Sequence, residues 1–284
     1  MGLPVRVAVY TGSARGARTA ARAAFDRIAA LDRALSDYRP DSELRRLEHR
    51  PREWISVSRE LFSIVARALE ISRATGGAFD PSVGPLVALW RQARTTGRLP
   101  DRITLEAARA LVDWRQIQLD HERRAVRLAM AGMRLDLGGI AKGFIIHEAM
   151  RTLRSRGVTR ALIEAGGDIV VGDPPPGCDG WRIETAGADR AFTERASRLA
   201  NASIATSGAT VQFVEVGDVR YSHVIDPRTG LGVTAPFLAR VIAADGATAD
   251  ALATALTVLG PERVSDIGAR FPHVLASVTS SFVP

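Results

Sequence analysis

Lys142 is the residue whose type most clearly suggests chemistry. The chain has 38 lysine and arginine residues, and Lys142 is its only lysine. Arginine can replace most surface lysines, but it cannot replace a lysine that serves as a compact point charge in a tight pocket. A chain so rich in arginine that keeps one lysine therefore indicates a functional ammonium group.

The segment around this lysine predicts a phosphate site. In Leu135–Gly143 a strand ends at Asp136, a glycine pair makes a turn, and a helix begins with Lys142 in its first turn. Glycines let a ligand approach the backbone, and a helix N-terminus offers free N–H groups to an anion. The spacing is neither that of a P-loop nor that of a dinucleotide-binding fingerprint. The alternative is a glycine turn whose lysine faces solvent.

A second candidate is the pair Asp250 and Thr254, which are four residues apart in a segment predicted as a helix. This spacing places both oxygens on one helix face. A carboxylate with a hydroxyl suits Mg²⁺, which prefers oxygen ligands and keeps substrate phosphates among them. The alternative has Asp250 at the start of the helix and Thr254 bonding back to a carbonyl of its own helix.

A histidine and an aspartate lie close together in Tyr221–Gly230. We predict a strand over Tyr221–Ile225, which places His223 and Ile225 on the same face, and then a turn that begins at Asp226. A histidine with an aspartate nearby suits proton transfer. The alternative is a hydrogen-bonded strand histidine beside a stable turn.

Composition excludes several classes of protein. Of the 284 residues, 46% are apolar and 24% are charged, which is close to the globular average. The net charge is +7, but the arginines are scattered and alternate with acids, so we expect no nucleic-acid partner. The single cysteine, Cys178, excludes an internal disulfide and a cysteine-based zinc site. No run approaches the ~18 apolar residues of a transmembrane helix, so we expect no transmembrane segment.

The elements that must position these residues are helices mixed with strands. Helical spacing predicts helices over Thr19–Leu35, from Ser58 onward, from Thr104 onward, and over Thr248–Leu259. Alternation and short apolar runs predict strands, several of them in hairpins, at Gln116–Leu119, Ala125–Leu128, Ala161–Glu164, Asp168–Val171, Trp181–Thr185, Ser203–Thr206, Val211–Val216 and Phe237–Ala243. This mixture predicts an α+β fold with largely antiparallel sheets, and we expect a single compact unit over residues 1–284.

Taken together, these segments resemble the ApbE family, the FAD:protein FMN transferases, over nearly the whole chain. Ser36–Leu44 resembles the S-x-Y-x-x-x-S-E-L segment of the family, and Leu135–Gly143 contains its D-L-G-G-I-A-K-G. Further matches are Ala78-Phe79-Asp80 (A-F-D), Glu164–Ile169 (N-A-G-G-D-I), Thr206-Ser207-Gly208, His223–Gly230 (H-x-I-D-P-x-T-G) and Ala249–Thr254 (A-D-A-L-A-T). One such motif is weak evidence, whereas this many in the family order are very specific.

The resemblance implies a reaction in which FAD is the substrate and Mg²⁺ is required. The pyrophosphate of FAD is cleaved, FMN is joined to a Ser or Thr hydroxyl of an acceptor protein, and AMP leaves. By family likeness the metal is held by Asp250, Thr254 and the Gly139 carbonyl. The FAD site is expected to comprise Tyr38, Ala78, Phe79, Asp80, Asp136, Lys142 and Ile225. The candidate catalytic residues are Lys142, Asp226 and His223, and His223 is the candidate to take the proton of the acceptor hydroxyl.

Two other activities stay open at this point. An FAD pyrophosphatase, which gives FMN and AMP, needs the same metal and phosphate site, and a non-enzymatic FAD-binding protein needs the same FAD site. The chain also departs from the family pattern at Glu164, where asparagine is usual, and at Leu3, where threonine is usual. We therefore expect the contact at position 164 to differ from the family pattern.

Two further expectations concern the compartment of the protein and a candidate acceptor residue within this chain. Many family members carry a leader and a lipidated cysteine, and the start of this chain shows neither. We therefore expect a cytoplasmic protein, and the alternative is a periplasmic or membrane-anchored one whose N-terminus is incomplete. Ser207–Thr210 is similar to the S-G-A-T core of flavinylation acceptor sites, so Thr210 is a candidate acceptor, although a strand explains the same residues.

Overall fold

Helices and antiparallel sheets alternate along the chain, as a computed structural model shows. The structure describes residues 2–185, 188–208, 213–216 and 218–280. The helices are α1 (Ala14–Leu35), α2 (Glu43–Glu48), α3 (Arg59–Ala74), α4 (Gly84–Thr96), α5 (Arg102–Arg109), α6 (Ala141–Ser155), α7 (Arg190–Ala196), α8 (Gly246–Leu259) and α9 (Val264–Arg270), with short 3-10 helices at Trp114–Gln116 and Pro261–Arg263. Within the described ranges, no helix combines the length and apolar character needed to cross a bilayer.

The strands form a large sheet and two small ones. The strands are β1 (Val5–Val9), β2 (Ile55–Ser56), β3 (Ile117–Asp120), β4 (Ala125–Leu128), β5 (Ala161–Ala165), β6 (Asp168–Val171), β7 (Ala202–Gly208), β8 (Phe213–Val216), β9 (Val219–Ser222), β10 (Phe237–Ala243) and β11 (Leu275–Ser280). The large sheet has the order β1-β5-β6-β7-β10-β11, and each neighbouring pair in it is antiparallel. The order β2-β4-β3 makes a second sheet, and β8 pairs with β9. This architecture confirms the predicted α+β class with antiparallel sheets.

Capping side chains explain where the helices begin. Ser58 caps α3 as predicted, because its hydroxyl oxygen accepts a hydrogen bond of 3.1 Å from the Leu61 N–H. The cap predicted for α5 is wrong. Asp101, not Thr104, caps this helix, and the Asp101 carboxylate accepts from the Thr104 N–H at 2.9 Å. Both residues can accept a hydrogen bond, and the extended backbone at Asp101 decides between them.

Helix α8 forms the centre of the fold and packs against α6, β7 and β10. The closest approach lies between Gly246 in α8 and Gly143 in α6, where a Cβ on either residue would overlap the carbonyl oxygen of the other. Backbone therefore meets backbone at this crossing. Because the helices are so close, Asp250 Oδ2 accepts a hydrogen bond of 2.9 Å from the Gly143 N–H. The crossing thus brings the turn after Asp136 against the first turns of α8.

The strand predicted over Tyr221–Ile225 is wrong in its second half. Strand β9 ends at Ser222, whose hydroxyl accepts a hydrogen bond of 3.0 Å from the Val224 N–H and so bends the chain. As a result His223 is exposed while Ile225 is buried. The two side chains therefore do not share a strand face as the sequence analysis expected.

The structure also corrects the strand predicted over Trp181–Thr185. Trp181 makes only an isolated bridge with Leu199, so no continuous ladder forms there. Part of another predicted strand, Val211–Val216, is present as β8, while residues 211–212 lie outside the described residues. Thr210, the candidate internal acceptor, also lies outside the described residues.

Candidate active site

A cavity of about 430 Å³ opens where α4, α6, α8, the end of β7 and the segment after β9 meet. Nearly all of the residues singled out from the sequence line it. They are Tyr38, Ala78, Phe79, Asp80, Asp136, Gly139, Lys142, His223, Ile225, Asp250 and Thr254. Asp226 is not among the lining residues. The fold therefore gathers motifs from across the whole chain around one cavity.

Oxygen donors from two segments meet at one end of this cavity. The Thr254 hydroxyl donates to the Gly139 carbonyl oxygen at 3.4 Å, and Asp250 lies one turn earlier on α8. The simpler interpretations from the sequence do not hold. Asp245, not Asp250, caps α8 and accepts from the Thr248 N–H at 2.9 Å. Thr254 bonds to a carbonyl of another segment and not to its own helix. A carboxylate, a hydroxyl and a carbonyl are thus placed together.

Lys142 lies between two carboxylates. Its Nζ forms ion pairs with Asp168 and with Asp250 Oδ1, the latter at 3.4 Å. Burial raises the pKa of Asp168 to about 7, and the neighbouring Asp250 adds to the rise. Burial acts to lower the pKa of Lys142, but the charges of Asp250 and Asp168 outweigh it and hold the pKa above its usual value. Lys142 is therefore a charged group held inside the protein, not a solvent-facing lysine.

Asp136 joins the glycine turn to α4. Its Oδ1 accepts a hydrogen bond of 2.7 Å from the Gly138 N–H, and its Oδ2 lies 3.3 Å from the Arg91 guanidinium. The same guanidinium pairs with Asp37 at 2.5 Å and lies 4.2 Å from the centre of the Tyr38 ring. Burial raises the pKa of Asp136, and the charge of Asp37 adds to the rise. Arg91 thus ties the loop that carries Tyr38 to the loop that carries Asp136.

The segment Ala78-Phe79-Asp80 forms another part of the wall. Asp80 is buried and organises its own loop, since its Oδ1 accepts from the N–H and the hydroxyl of Ser82 at 2.8 and 2.6 Å. Its Oδ2 accepts from the Trp114 N–H at 3.2 Å. Burial raises the pKa of Asp80. Asp80 therefore shapes the wall, and Phe79 contributes an apolar ring to it.

His223 and Asp226 have different surroundings. His223 is an exposed residue of the cavity wall. The Asp226 carboxylate accepts hydrogen bonds of 2.9 Å from the Arg228 N–H and of 2.8 Å from each of two guanidinium nitrogens of Arg228. The Asp226 carbonyl accepts from the Gly230 N–H at 2.8 Å. These bonds hold the turn that follows Ile225, so the geometry favours a positioning role for Asp226.

The family model of the ApbE family matches residues 1–278. The chain belongs to the ApbE family. Two relatives carry the name FAD:protein FMN transferase. The one from Treponema pallidum is 32% identical over 96% of this chain and 81% of the relative. The one from Vibrio cholerae is 34% identical over 81% of this chain and 70% of the relative.

Solved ApbE structures share the fold. The ApbE protein from Thermotoga maritima matches with a TM-score of 0.83 and 29% identity, over 99% of this chain and 94% of that one. The flavin transferase ApbE from Vibrio cholerae matches with a TM-score of 0.80 and 26% identity, over 98% of this chain and 93% of that one. The likeness therefore extends over the whole architecture and not only over the motifs.

The departure from the ApbE pattern at Glu164 has a structural account. Glu164 on β5 lies opposite Arg6 on β1, and the two side chains form an ion pair of 2.8 Å. Opposite charges at facing positions of an antiparallel pair stabilise the sheet modestly. Glu164 is not among the residues that line the cavity. In this ApbE protein the Glu164 side chain therefore helps to pair β5 with β1, the edge strand of the large sheet.

Sequence reasoning missed several charged residues of the ApbE site, and Asp168 and Arg91 make its most direct contacts. Asp168 contacts Lys142, and Arg91 contacts both Asp37 and Asp136. A signal for Asp168 was present, because it stands in the segment Glu164–Ile169 that matches a family motif. Arg91 gave no signal, since it is one of 37 arginines and no element was predicted for the segment that carries it.

Two variants in the turn after Ile225 test whether Asp226 holds the turn or takes part in the reaction. Arg228→Ala removes the guanidinium partner of Asp226 while the carboxylate remains. If Asp226 acts by holding the turn, Arg228→Ala and Asp226→Asn should each destabilise the protein by about 1 kcal/mol and reduce activity only a few-fold. Urea unfolding and steady-state rates of both variants provide the measurement. A catalytic Asp226 would instead make Asp226→Asn nearly inactive while Arg228→Ala stays active.

Proposed function

We propose that this protein transfers FMN from FAD to a Ser or Thr hydroxyl of an acceptor protein and releases AMP, with Mg²⁺ as its cofactor. The observation that carries the proposal is the cavity that joins the oxygen donors around Asp250 to the partly buried cation Lys142 and the exposed His223. The names of the relatives support the same activity for this chain.

The donor set fits Mg²⁺. Asp250, Thr254 and the Gly139 carbonyl offer only oxygen, which is the ligand type that Mg²⁺ prefers. Over the described residues, no group of three or more His, Cys, Asp or Glu side chains forms a metal cage. A site with few protein ligands is typical of Mg²⁺, which keeps waters and substrate phosphates in its coordination shell. When bound, the ion supplies neutralisation of the charge that develops on the pyrophosphate.

The residues of the chain then have separate tasks. The ammonium of Lys142 adds a fixed positive charge at the phosphate end of the cavity, where it stabilises a developing negative charge. His223 takes the proton of the acceptor hydroxyl. The acceptor oxygen forms a bond to the phosphorus of the FMN half, and the bond from that phosphorus to the bridging oxygen breaks. AMP leaves with the electron pair.

The remaining lining residues hold the flavin nucleotide. Tyr38, Ala78, Phe79, Asp136 and Ile225 provide an apolar and aromatic wall with one partly buried carboxylate. Such a wall, with few polar groups, is typical of sites that bind small molecules. Arg91 supports this wall because it links the Tyr38 loop to Asp136.

The test is the intact mass of a small acceptor domain with a Ser/Thr flavinylation motif after incubation with this protein, FAD and Mg²⁺. We expect a gain of one FMN group, complete loss of the gain with EDTA, and no gain when the acceptor hydroxyl is replaced by alanine. AMP is measured in the same samples. Steady AMP release without any gain would favour an FAD pyrophosphatase. Tight FAD binding with neither product would favour a non-enzymatic flavin binder.

A further inference from the structure

Asp168 is a buried carboxylate beside the proposed metal site to which the proposed function gives no task. Its side chain is 1% exposed, and it lies at the start of β6. One of its oxygens accepts a hydrogen bond of 3.2 Å from the Thr206 N–H on β7. The other oxygen forms the ion pair with Lys142. The sheet therefore fixes Asp168 in place and directs it at the ammonium.

Two carboxylates, Asp168 and Asp250, share the single ammonium of Lys142. The ammonium lies closer to Asp168 than to Asp250, whose Oδ1 is 3.4 Å away. The second oxygen of Asp250 is already engaged by the Gly143 N–H at 2.9 Å. Asp250 Oδ1 is thus weakly held, and it shares the one ammonium with a second carboxylate.

We propose that Asp168 is a positioning residue that holds the ammonium of Lys142 away from Asp250 and so leaves Asp250 Oδ1 for a divalent cation. The inference rests on the proposed function because it takes Asp250 as a metal ligand. An ammonium on Asp250 would occupy a lone pair that the ion needs, and it would repel the ion as well. Asp168 therefore acts on the metal through Lys142 and not as a ligand.

If Asp168 acts through Lys142, the effect of Asp168→Asn on metal binding should depend on whether Lys142 is present. A direct attraction between Asp168 and the ion predicts no such dependence. Asp168→Asn keeps an oxygen that can accept from the Thr206 N–H, but it loses the charge that holds Lys142. The ammonium then pairs with Asp250 alone and competes with the cation. If Lys142 is first replaced by methionine, this competition is absent, and the loss of Asp168 has little effect. A direct attraction between Asp168 and the ion would act equally in both backgrounds, so a double-mutant cycle separates the two.

The experiment measures Mn²⁺ affinity by EPR titration of the FAD-free protein for the parent chain, Asp168→Asn, Lys142→Met and the double variant. We expect Asp168→Asn to weaken binding about tenfold in the parent background, and at most about twofold in the Lys142→Met background. Asp179→Asn is the control for loss of one negative charge, since Asp179 is 68% exposed and paired with Arg198. This control should bind Mn²⁺ like the parent chain.

The outcomes distinguish this inference from the proposed function. Equal weakening in both backgrounds, or no weakening by Asp168→Asn, would overturn the role of Asp168 while leaving the metal site intact. A parent chain that binds no Mn²⁺ would overturn the metal site itself and the inference with it. Thermal unfolding checks that each variant folds. If Asp168→Asn does not fold, Asp168→Ser replaces it in the same double-mutant cycle, with the same expected and contradicting results.

Discussion

Replacing Asp250 with asparagine is expected to lower the rate of FMN transfer by about a hundredfold to a thousandfold. Asparagine keeps an oxygen that can accept from the Gly143 N–H, so the crossing of α6 and α8 is retained. What is lost is the charge that binds the cation and that helps to hold Lys142 at the phosphate end of the cavity. Initial rates at several Mg²⁺ concentrations, read from the mass of the acceptor, provide the measurement.

A matched control for this variant lies on the same helix. Thr257 is also buried in α8, and its hydroxyl donates to the Ala253 carbonyl at 3.0 Å without reaching the cavity. Thr257→Val removes a polar group from α8 but leaves the proposed metal ligands unchanged. We expect it to keep most of the activity. Full activity of Asp250→Asn at low Mg²⁺ would contradict the assignment of Asp250 as a metal ligand.

The largest effect on stability is expected for Gly143→Ala. The added Cβ would overlap the carbonyl oxygen of Gly246, which is a backbone atom, so no side-chain rotation can relieve the clash. Helices α6 and α8 must move apart at the centre of the core, and overpacking of this kind costs about 3 kcal/mol or more. The same movement separates the Gly143 N–H from Asp250. We therefore expect loss of stability, measured by urea unfolding, and a higher Mg²⁺ concentration for half-maximal activity.

Gly268 offers the matched control for this substitution. It also lies within a helix, α9, but a Cβ there meets no atom within 4 Å. Alanine at this position should be neutral or stabilise the protein by about 0.5–1 kcal/mol, because it restricts the unfolded chain and favours the helix. If Gly143→Ala were as stable as Gly268→Ala, the close crossing of α6 and α8 would be refuted.

Much of the local structure could be predicted from the sequence. The capping of α3 by Ser58 was predicted correctly. So was the hairpin of β3 and β4. These features depend on residues a few positions apart, whose backbone preferences and hydrogen bonds act wherever the segment lies in the fold. The four-residue spacing of Asp250 and Thr254 placed them on one helix face for the same reason.

The strand predicted over Tyr221–Ile225 shows where local reasoning fails. The apolar alternation continues to Ile225, but the pairing ends at Ser222. A side-chain hydrogen bond at Ser222 bends the chain, and Ile225 pairs instead with Gly232 in an isolated bridge. Whether an alternating segment stays in a sheet depends on the partner strand, which the segment itself does not specify.

Residue types and short spacings in the sequence determined which groups could do chemistry: one lysine after a glycine turn, an aspartate and a threonine one helical turn apart, and a histidine before a turn. Only the tertiary structure decided which charges meet. Lys142 reaches Asp168 and Asp250 because α6 and α8 cross at two glycines, and Arg91 reaches Asp136 because α4 packs beside the glycine turn. Such contacts join residues far apart in the chain, and they depend on how whole helices and sheets pack, which no local pattern encodes.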